Sequence, residues 1–171
     1  MTLSTKAYHV LMENSVDDDL LEELAMQVYL DWRGVSQGYA LDVIDEIRYR
    51  HLEPIIVLDD DNLVALAAFV EVKDQSPQNY IPDTFTPYYD SVFYVTYMAG
   101  NGKGGGGIIL RELQQISEAE DSPLLVGAAA ESPAFYDHMG FDQSDKDKHF
   151  WYWIPFSIWK EVEKTPEKIV A

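Results

Sequence analysis

Apolar positions along the chain change period block by block, and the blocks predict its elements. Ala7–Met12 (AYHVLM) reads as a first strand. Leu20/Leu21, Leu24 and Val28 then recur at helical spacing. Ser15 is the expected N-cap of that helix, and Asp17, Asp18 and Asp19 lie in its first turn, where the helix dipole favours acid. Gly34 is a natural stop after Trp32 and Arg33. A second helix over about Gly38–His51 has Leu41, Ile44, Ile47 and Leu52 on its apolar side, and Pro54 ends it. Pro54–Leu58 and Leu63–Val72 are strands rich in Ile, Val and Leu, joined by the hairpin chemistry of Asp59-Asp60-Asp61-Asn62. Ser91–Met98 is β-branched and aromatic, as a buried strand is, and from Gly106 to about Ser117 a helix carries Ile109, Leu110 and Leu113. Leu124–Ala130 is a strand, and Pro133–Met139 a short helix with Gly140 at its C-cap and Phe141 packing back. Lys148–Phe156 (KHFWYWIPF) is an aromatic strand, and Ser157–Ala171 a turn of helix around Trp159 followed by a frayed end. The order β-α-α-β-β-β-α-β-α-β puts the chain in the α/β class as one domain over residues 1–171, without internal repeat or linker.

Two stretches interrupt this pattern. Lys73–Asp90 (KDQSPQNYIPDTFTPYYD) is long and rich in Pro and polar residues, and loops of that length inside a domain are usually functional. Its Tyr80, Phe85, Tyr88 and Tyr89 either line an acceptor pocket or cover a sheet edge. The second stretch is Gly100-Asn101-Gly102-Lys103-Gly104-Gly105-Gly106-Gly107, at a strand-to-helix corner. Each glycine costs about 1 kcal/mol against Ala where the backbone is helical, so the run needs a reason. An anionic ligand supplies one: a helix N-terminus offers unpaired N–H groups and positive dipole, and a backbone without Cβ atoms can approach a phosphate closely. A flexible turn is the plainer alternative. A Walker P-loop is excluded because Lys103 is followed by Gly104 and not Ser or Thr. Gly102, Gly104 and Gly107 satisfy G-x-G-x-x-G, but Leu124–Ala130 ends in alanines where a dinucleotide-binding unit carries an acid.

Composition narrows the partners. The chain has 30 Asp and Glu against 12 Lys and Arg, a net charge of −18, which disfavours nucleic acid and anionic membrane surfaces and suits a cationic substrate. The same acidity also serves plain solubility. The absence of Cys removes disulfides, thiolate metal ligands and thiol catalysis. No His pair has metal spacing, and the acid runs read as helix and hairpin chemistry, so no metal is expected. No apolar run approaches the roughly 20 residues of a membrane span, and the start MTLSTKAYHVLMENS lacks a signal-peptide pattern. A soluble protein of the cytoplasm is the expectation.

Asn101-Gly102-Lys103-Gly104-Gly105-Gly106, followed by Ile108-Ile109-Leu110, resembles the coenzyme A loop of the GNAT N-acetyltransferases, patterned Arg/Gln-x-x-Gly-x-Gly/Ala between a strand and a helix. Ser132–Phe141 (SPAFYDHMGF) resembles that family's closing Phe-Tyr-x-x-x-Gly-Phe signature, at the expected distance downstream. The resemblance is specific over about Asp90–Phe141. It implies a mixed, mostly antiparallel sheet with helices on both faces, acetyl-CoA as cofactor, and transfer of an acetyl group to a primary amine of a small acceptor, which the acidity of the chain suits to a cationic one.

The resemblance also implies roles. The amides of Asn101, Gly102, Lys103, Gly104, Gly105, Gly106 and Gly107 hold the pyrophosphate, while the backbone of Val95, Thr96 and Tyr97 pairs with the pantetheine arm. Tyr136 is the proton donor to the departing thiolate. Asp90, at the start of the central strand, falls where histone-type members carry their base, and Glu71 is its rival. A carboxylate near pKa 4 is a poor direct base for an amine near 10, so it needs burial or a water chain. His138 occupies a variable position of the signature and is expected to be exposed. Two departures stand out: Asn101 replaces the usual Arg or Gln, and Ala128-Ala129-Ala130 lacks the Asn that often precedes the Phe-Tyr pair. A GNAT fold that binds coenzyme A or a protein partner without turnover is the alternative, and a dinucleotide-binding fold a third. Lys148–Phe156 is the candidate surface for a homodimer, which the sequence leaves open.

Overall fold

A computed structural model describes residues 8–73, 80–102, 104–127 and 133–164. Lys103, Ala128–Ala130, part of the Lys73–Asp90 stretch and the end of the tail lie outside these residues. Seven strands form one mixed sheet in the order β1-β2-β3-β4-β5-β7-β6: β1 His9–Met12, β2 Glu53–Asp59, β3 Asn62–Val72, β4 Val92–Gly100, β5 Leu124–Gly127, β6 Asp142–Gln143 and β7 Phe150–Trp153. Its pairings are antiparallel for β1/β2, β2/β3, β5/β7 and β6/β7, and parallel for β4/β5. Among the described residues five α-helices accompany it: α1 Asp18–Asp31, α2 Gly34–Arg50, α3 Gly105–Glu120, α4 Pro133–His138 and α5 Phe156–Glu163. This is the α/β class and the mostly antiparallel sheet that the sequence predicts. The chain divides into two compact units, Met1–Phe69 with Thr96–Ile109, and Val70–Val95 with Leu110–Ala171.

In the first unit, α1 starts two residues later than expected. Ser15 ends a short 3-10 turn, and the cap is Asp17, whose Oδ1 accepts from Leu20 N at 2.8 Å. A carboxylate is the better cap here because it also meets the helix dipole. Gly34 does not simply stop α1: Trp32 is the C-cap, and Gly34, at φ 64°, reverses the chain and opens α2. The corner is tied by Gln37 Nε2, which donates to the carbonyls of Tyr29 and Trp32, each at 3.0 Å. At its far end α2 closes on His51 in the left-handed conformation, before Pro54 is reached.

Leu21, Leu24 and Val28 of α1 and Ala40, Val43, Ile44 and Ile47 of α2 pack on Ile56, Leu58, Leu63, Leu66 and Ala68 of the β2/β3 hairpin. Full burial of such side chains contributes about 1.5–3 kcal/mol each, so this cluster dominates the unit's stability. Ile55, Ile56 and Val57 are all fully buried although neighbours on a strand point to opposite faces, so both faces of β2 are covered. The acid run is the hairpin turn, with Asp60 at φ 54°, and Gln27 bridges it by donating to Asp61 O and accepting from Leu63 N.

In the second unit, β5 is buried on both faces through Leu124, Leu125 and Val126. Leu125 joins Ile81, Phe85, Tyr89, Val92, Ile154 and Ile158 in one core cluster. That cluster takes Phe85 and Tyr89 into the core and packs Tyr80 and Tyr88 against it, which favours the covering role over a pocket lining. Phe85 is buried on a 3-10 helix over Asp83–Tyr88 and meets Trp159 edge to face at 4.7 Å, while Tyr80 stacks on Phe150 at 3.8 Å and 10°. Their apolar area is used in packing. The expected aromatic strand is shorter than Lys148–Phe156, because Pro155 caps α5 and Phe156 begins it. α5 is anchored by Phe156 N, which donates to Glu118 Oε1 at 2.6 Å. The two-residue β6 is absent from the sequence reading; it exists only through its pairing with Tyr152 and Trp151 of β7.

Candidate functional site

The glycine corner lies in the first unit, between the end of β4 and the start of α3. Toward the end of β4, Thr96 is half-buried, Tyr97 exposed and Ala99 buried. Thr96 Oγ1 donates to Ala68 O at 3.1 Å, fixing its rotamer against β3. Asn101 extends the same attachment, with its backbone N donating to Val64 O at 3.0 Å and its Nδ2 directed to Leu63 O at 3.4 Å. The shorter side chain that replaces Arg or Gln is thus a strut to β3.

The glycines that follow differ in purpose. Gly102 and Gly104 both have φ 86°, a conformation L side chains rarely adopt, and a Cβ on either would point into open space. Gly105 has an ordinary φ, but a Cβ there would lie 2.6 Å from both Ala65 Cβ and Val64 Cγ1. Its lack of a side chain lets the first turn of α3 sit against β3. Gly106 and Gly107 complete that first turn. Gly102 and Gly104, left-handed and with open space at their Cβ positions, lead into a 16-residue helix whose N-terminus carries unpaired N–H groups and positive dipole. That geometry can take an anionic group.

The second unit holds the other expected residues. Val95 is buried on β4, where the pairing with β5 covers Phe93 to Val95. Tyr136, on α4, is only 5 % exposed. Its ring stacks on Trp151 at 5.8 Å and 23° and meets Phe141 and Phe135 edge-on at 5.9 and 5.2 Å. Burial pushes its phenol up to about 12. At neutral pH the group therefore holds its proton, and it is a weaker acid than an ordinary phenol. Gly140, at φ 85°, lets Phe141 N return to Tyr136 O at 3.0 Å, which closes the signature on itself. Trp151, the wall behind Tyr136, was legible only as part of an aromatic strand; pairing to Gln143 and Val126 sets which side it faces.

Asp90 and Glu71 are both exposed, without the burial asked of a carboxylate base. His138 is exposed as expected, and His149 is an exposed partner of Asp147 at 3.0 Å. Among the described residues no cluster of His, Asp and Glu could hold a metal ion, and no helix is long and apolar enough to cross a membrane. A shallow groove of about 610 Å³ also lies in this unit, lined by Arg111, Gln114, Glu118 and Trp153.

No protein-family model matches the chain, and no curated protein matches it in sequence. Solved structures do resemble it. A mutant of the AtaT toxin bound to the C-terminus of the antitoxin AtaR and acetyl-CoA is 12% identical, with a TM-score of 0.59 over 91% of this chain and 97% of that one. The Bacillus subtilis N-acetyltransferase YlbP in complex with coenzyme A is 16% identical, with a TM-score of 0.53 over 87% and 97%. The aminoglycoside N-acetyltransferase AAC(6')-Iy in complex with CoA is 13% identical, with a TM-score of 0.56 over 85% and 94%. Strand order, glycine corner and these likenesses converge: the chain has the fold of the GNAT acetyltransferases.

Proposed function

We propose that this protein is an acetyl-CoA-dependent N-acetyltransferase, acting as a single domain on a primary amine of a small, cationic acceptor. The observation that carries this reading is the glycine corner, where Gly102 and Gly104 take left-handed conformations beside open space immediately before α3. A surface built in that way fits a pyrophosphate. Asn101, Gly102, Lys103, Gly104, Gly105, Gly106 and Gly107 hold that group, and the backbone of Val95, Thr96 and Tyr97 receives the pantetheine arm. When bound, acetyl-CoA supplies an activated acyl carbon for attack by the amine.

Tyr136 keeps a proton at its phenol oxygen for the departing sulfur. Its burial preserves that proton across the neutral range. Asp90, with Glu71 as rival, removes the amine proton through water, since both are exposed. The charge of −18 concentrates a cationic acceptor near the protein and disfavours nucleic acid.

The test is Tyr136→Phe, which keeps the ring between Trp151 and Phe141. Turnover falls about 10²-fold or more while coenzyme A affinity stays within twofold. Full activity in that variant removes Tyr136 from the chemistry. A second reading, a GNAT fold that binds without turnover, is favoured by the tight packing of Tyr136 and the exposure of both carboxylates. It predicts coenzyme A binding with no acetylation in a screen of polyamines, aminoglycosides and lysine peptides.

A further inference from the structure

Large apolar side chains stand in solvent at one corner of the first unit. Met26, Tyr29 and Leu30 occupy the last turns of α1, and Val35 and Tyr39 the first turns of α2. Their exposure runs from 52 % at Tyr39 to 70 % at Val35. Positions 26, 29 and 30 share one helical face, as do 35 and 39. The inward residues of the same turns, Val28, Trp32 and Ala40, are buried, so the outer five are surplus to the core. The corner is also rigid, held by Gln37 to the carbonyls of Tyr29 and Trp32. Contiguous apolar surface rimmed by polar groups marks an interaction site in a soluble protein.

The rim says what fits. Exposed Glu23, Asp31 and Asp42 flank the apolar residues along α1 and α2. Of the nearby cations, Arg33 is turned onto the carbonyls of Leu30 and Trp32 at 2.8 Å, and Arg48 pairs with Glu22 at 3.3 Å. A second copy would bring the same acidic rim and another net charge of −18. Anionic lipid and nucleic acid are repelled for the same reason. We propose that the α1–α2 corner docks a basic, amphipathic segment of a partner protein, with apolar anchors on the exposed aromatics and Met, and Lys or Arg on the rim. The proposal does not depend on acetyl transfer.

The probe is a synthetic amphipathic peptide with Leu and Lys at helical spacing, alongside its Leu/Glu counterpart, read by fluorescence anisotropy. The Leu/Lys peptide binds the wild type, and Tyr29→Ser/Leu30→Ser weakens it at least about tenfold. Val35→Ser/Tyr39→Ser does the same from the other helix, with circular dichroism showing that both variants are folded. Phe156→Ser, an exposed aromatic on α5, leaves binding unchanged, and the Leu/Glu peptide does not bind. Equal binding to wild type and both double variants would show attraction to net charge alone and overturn the proposal. Failure of the Leu/Lys peptide to bind, or equal binding of the Leu/Glu peptide, would overturn it as well. A wild-type dimer in sedimentation that the double variants abolish would assign the corner to a second copy instead.

Discussion

Gly104 and Gly105 are neighbours with different reasons to lack a side chain, and substitution separates them. Gly105→Ala places a methyl 2.6 Å from Ala65 Cβ, which is fully buried and cannot yield. Overpacking of this kind costs about 1–3 kcal/mol, more than the gain in helix propensity, so thermal unfolding moves down by roughly 2–10 °C. Gly104→Ala meets no atom and instead forces an L side chain to φ 86°, a strain of about 1–2 kcal/mol. Its main effect is on ligand affinity, read by calorimetry with coenzyme A. Sequence alone showed the run of glycines but not this division, because a close approach to Ala65 is a long-range fact. Tyr136 gives a pH test. Its folded pKa of about 12 lies above the ordinary value of 10, so burial of the neutral phenol stabilises the fold fully below pH 10. As pH rises from 10 toward 12 the unfolded chain ionises first, and about 2–3 kcal/mol is lost. Urea unfolding at pH 8 and about pH 11.5 therefore shows a steeper decline in wild type than in Tyr136→Phe; parallel declines would contradict the burial argument.

Elements were legible where local chemistry decides them. The α1/α2 pair, the Asp-rich hairpin, α3 and the Phe-Tyr helix all fall where the apolar period and turn chemistry place them, within a few residues at their ends. Boundaries moved where a choice between neighbours is settled in three dimensions. Asp17 outcompetes Ser15 as the α1 cap because its carboxylate reaches Leu20 N. Asp17→Ala therefore lowers stability by about 1 kcal/mol and Ser15→Ala by little, measured by chemical unfolding. β6 was illegible because two residues carry no period, and its pairing with β7 alone defines it. The loop aromatics stayed between two readings for a related reason. Tyr80, Phe85 and Tyr89 sit in a polar, Pro-rich stretch that looks like a pocket rim, yet Ile81, Leu125 and Ile158 draw Phe85 and Tyr89 inward.

At the scale of the whole molecule, the fold was read from two short motifs in the right order, while the acceptor was not. The acceptor is chosen by surfaces assembled from distant residues, and here only net charge was visible in advance. A cationic acceptor predicts that kcat/KM falls as salt rises from about 0.05 to 0.3 M, through screening of an acidic surface; a flat salt profile would point to a neutral amine. The central claim is that the glycine corner holds coenzyme A. Thermal unfolding of wild type and Gly104→Val with acetyl-CoA, coenzyme A or NAD tests it most directly. A ligand at about 100 times its dissociation constant stabilises by roughly 2.7 kcal/mol, a shift of about 5–10 °C for a domain of this size. The account predicts that shift in wild type with either coenzyme A species, no shift with NAD, and none in Gly104→Val, itself checked for folding by its own unfolding transition. A wild type indifferent to both coenzyme A species would contradict it.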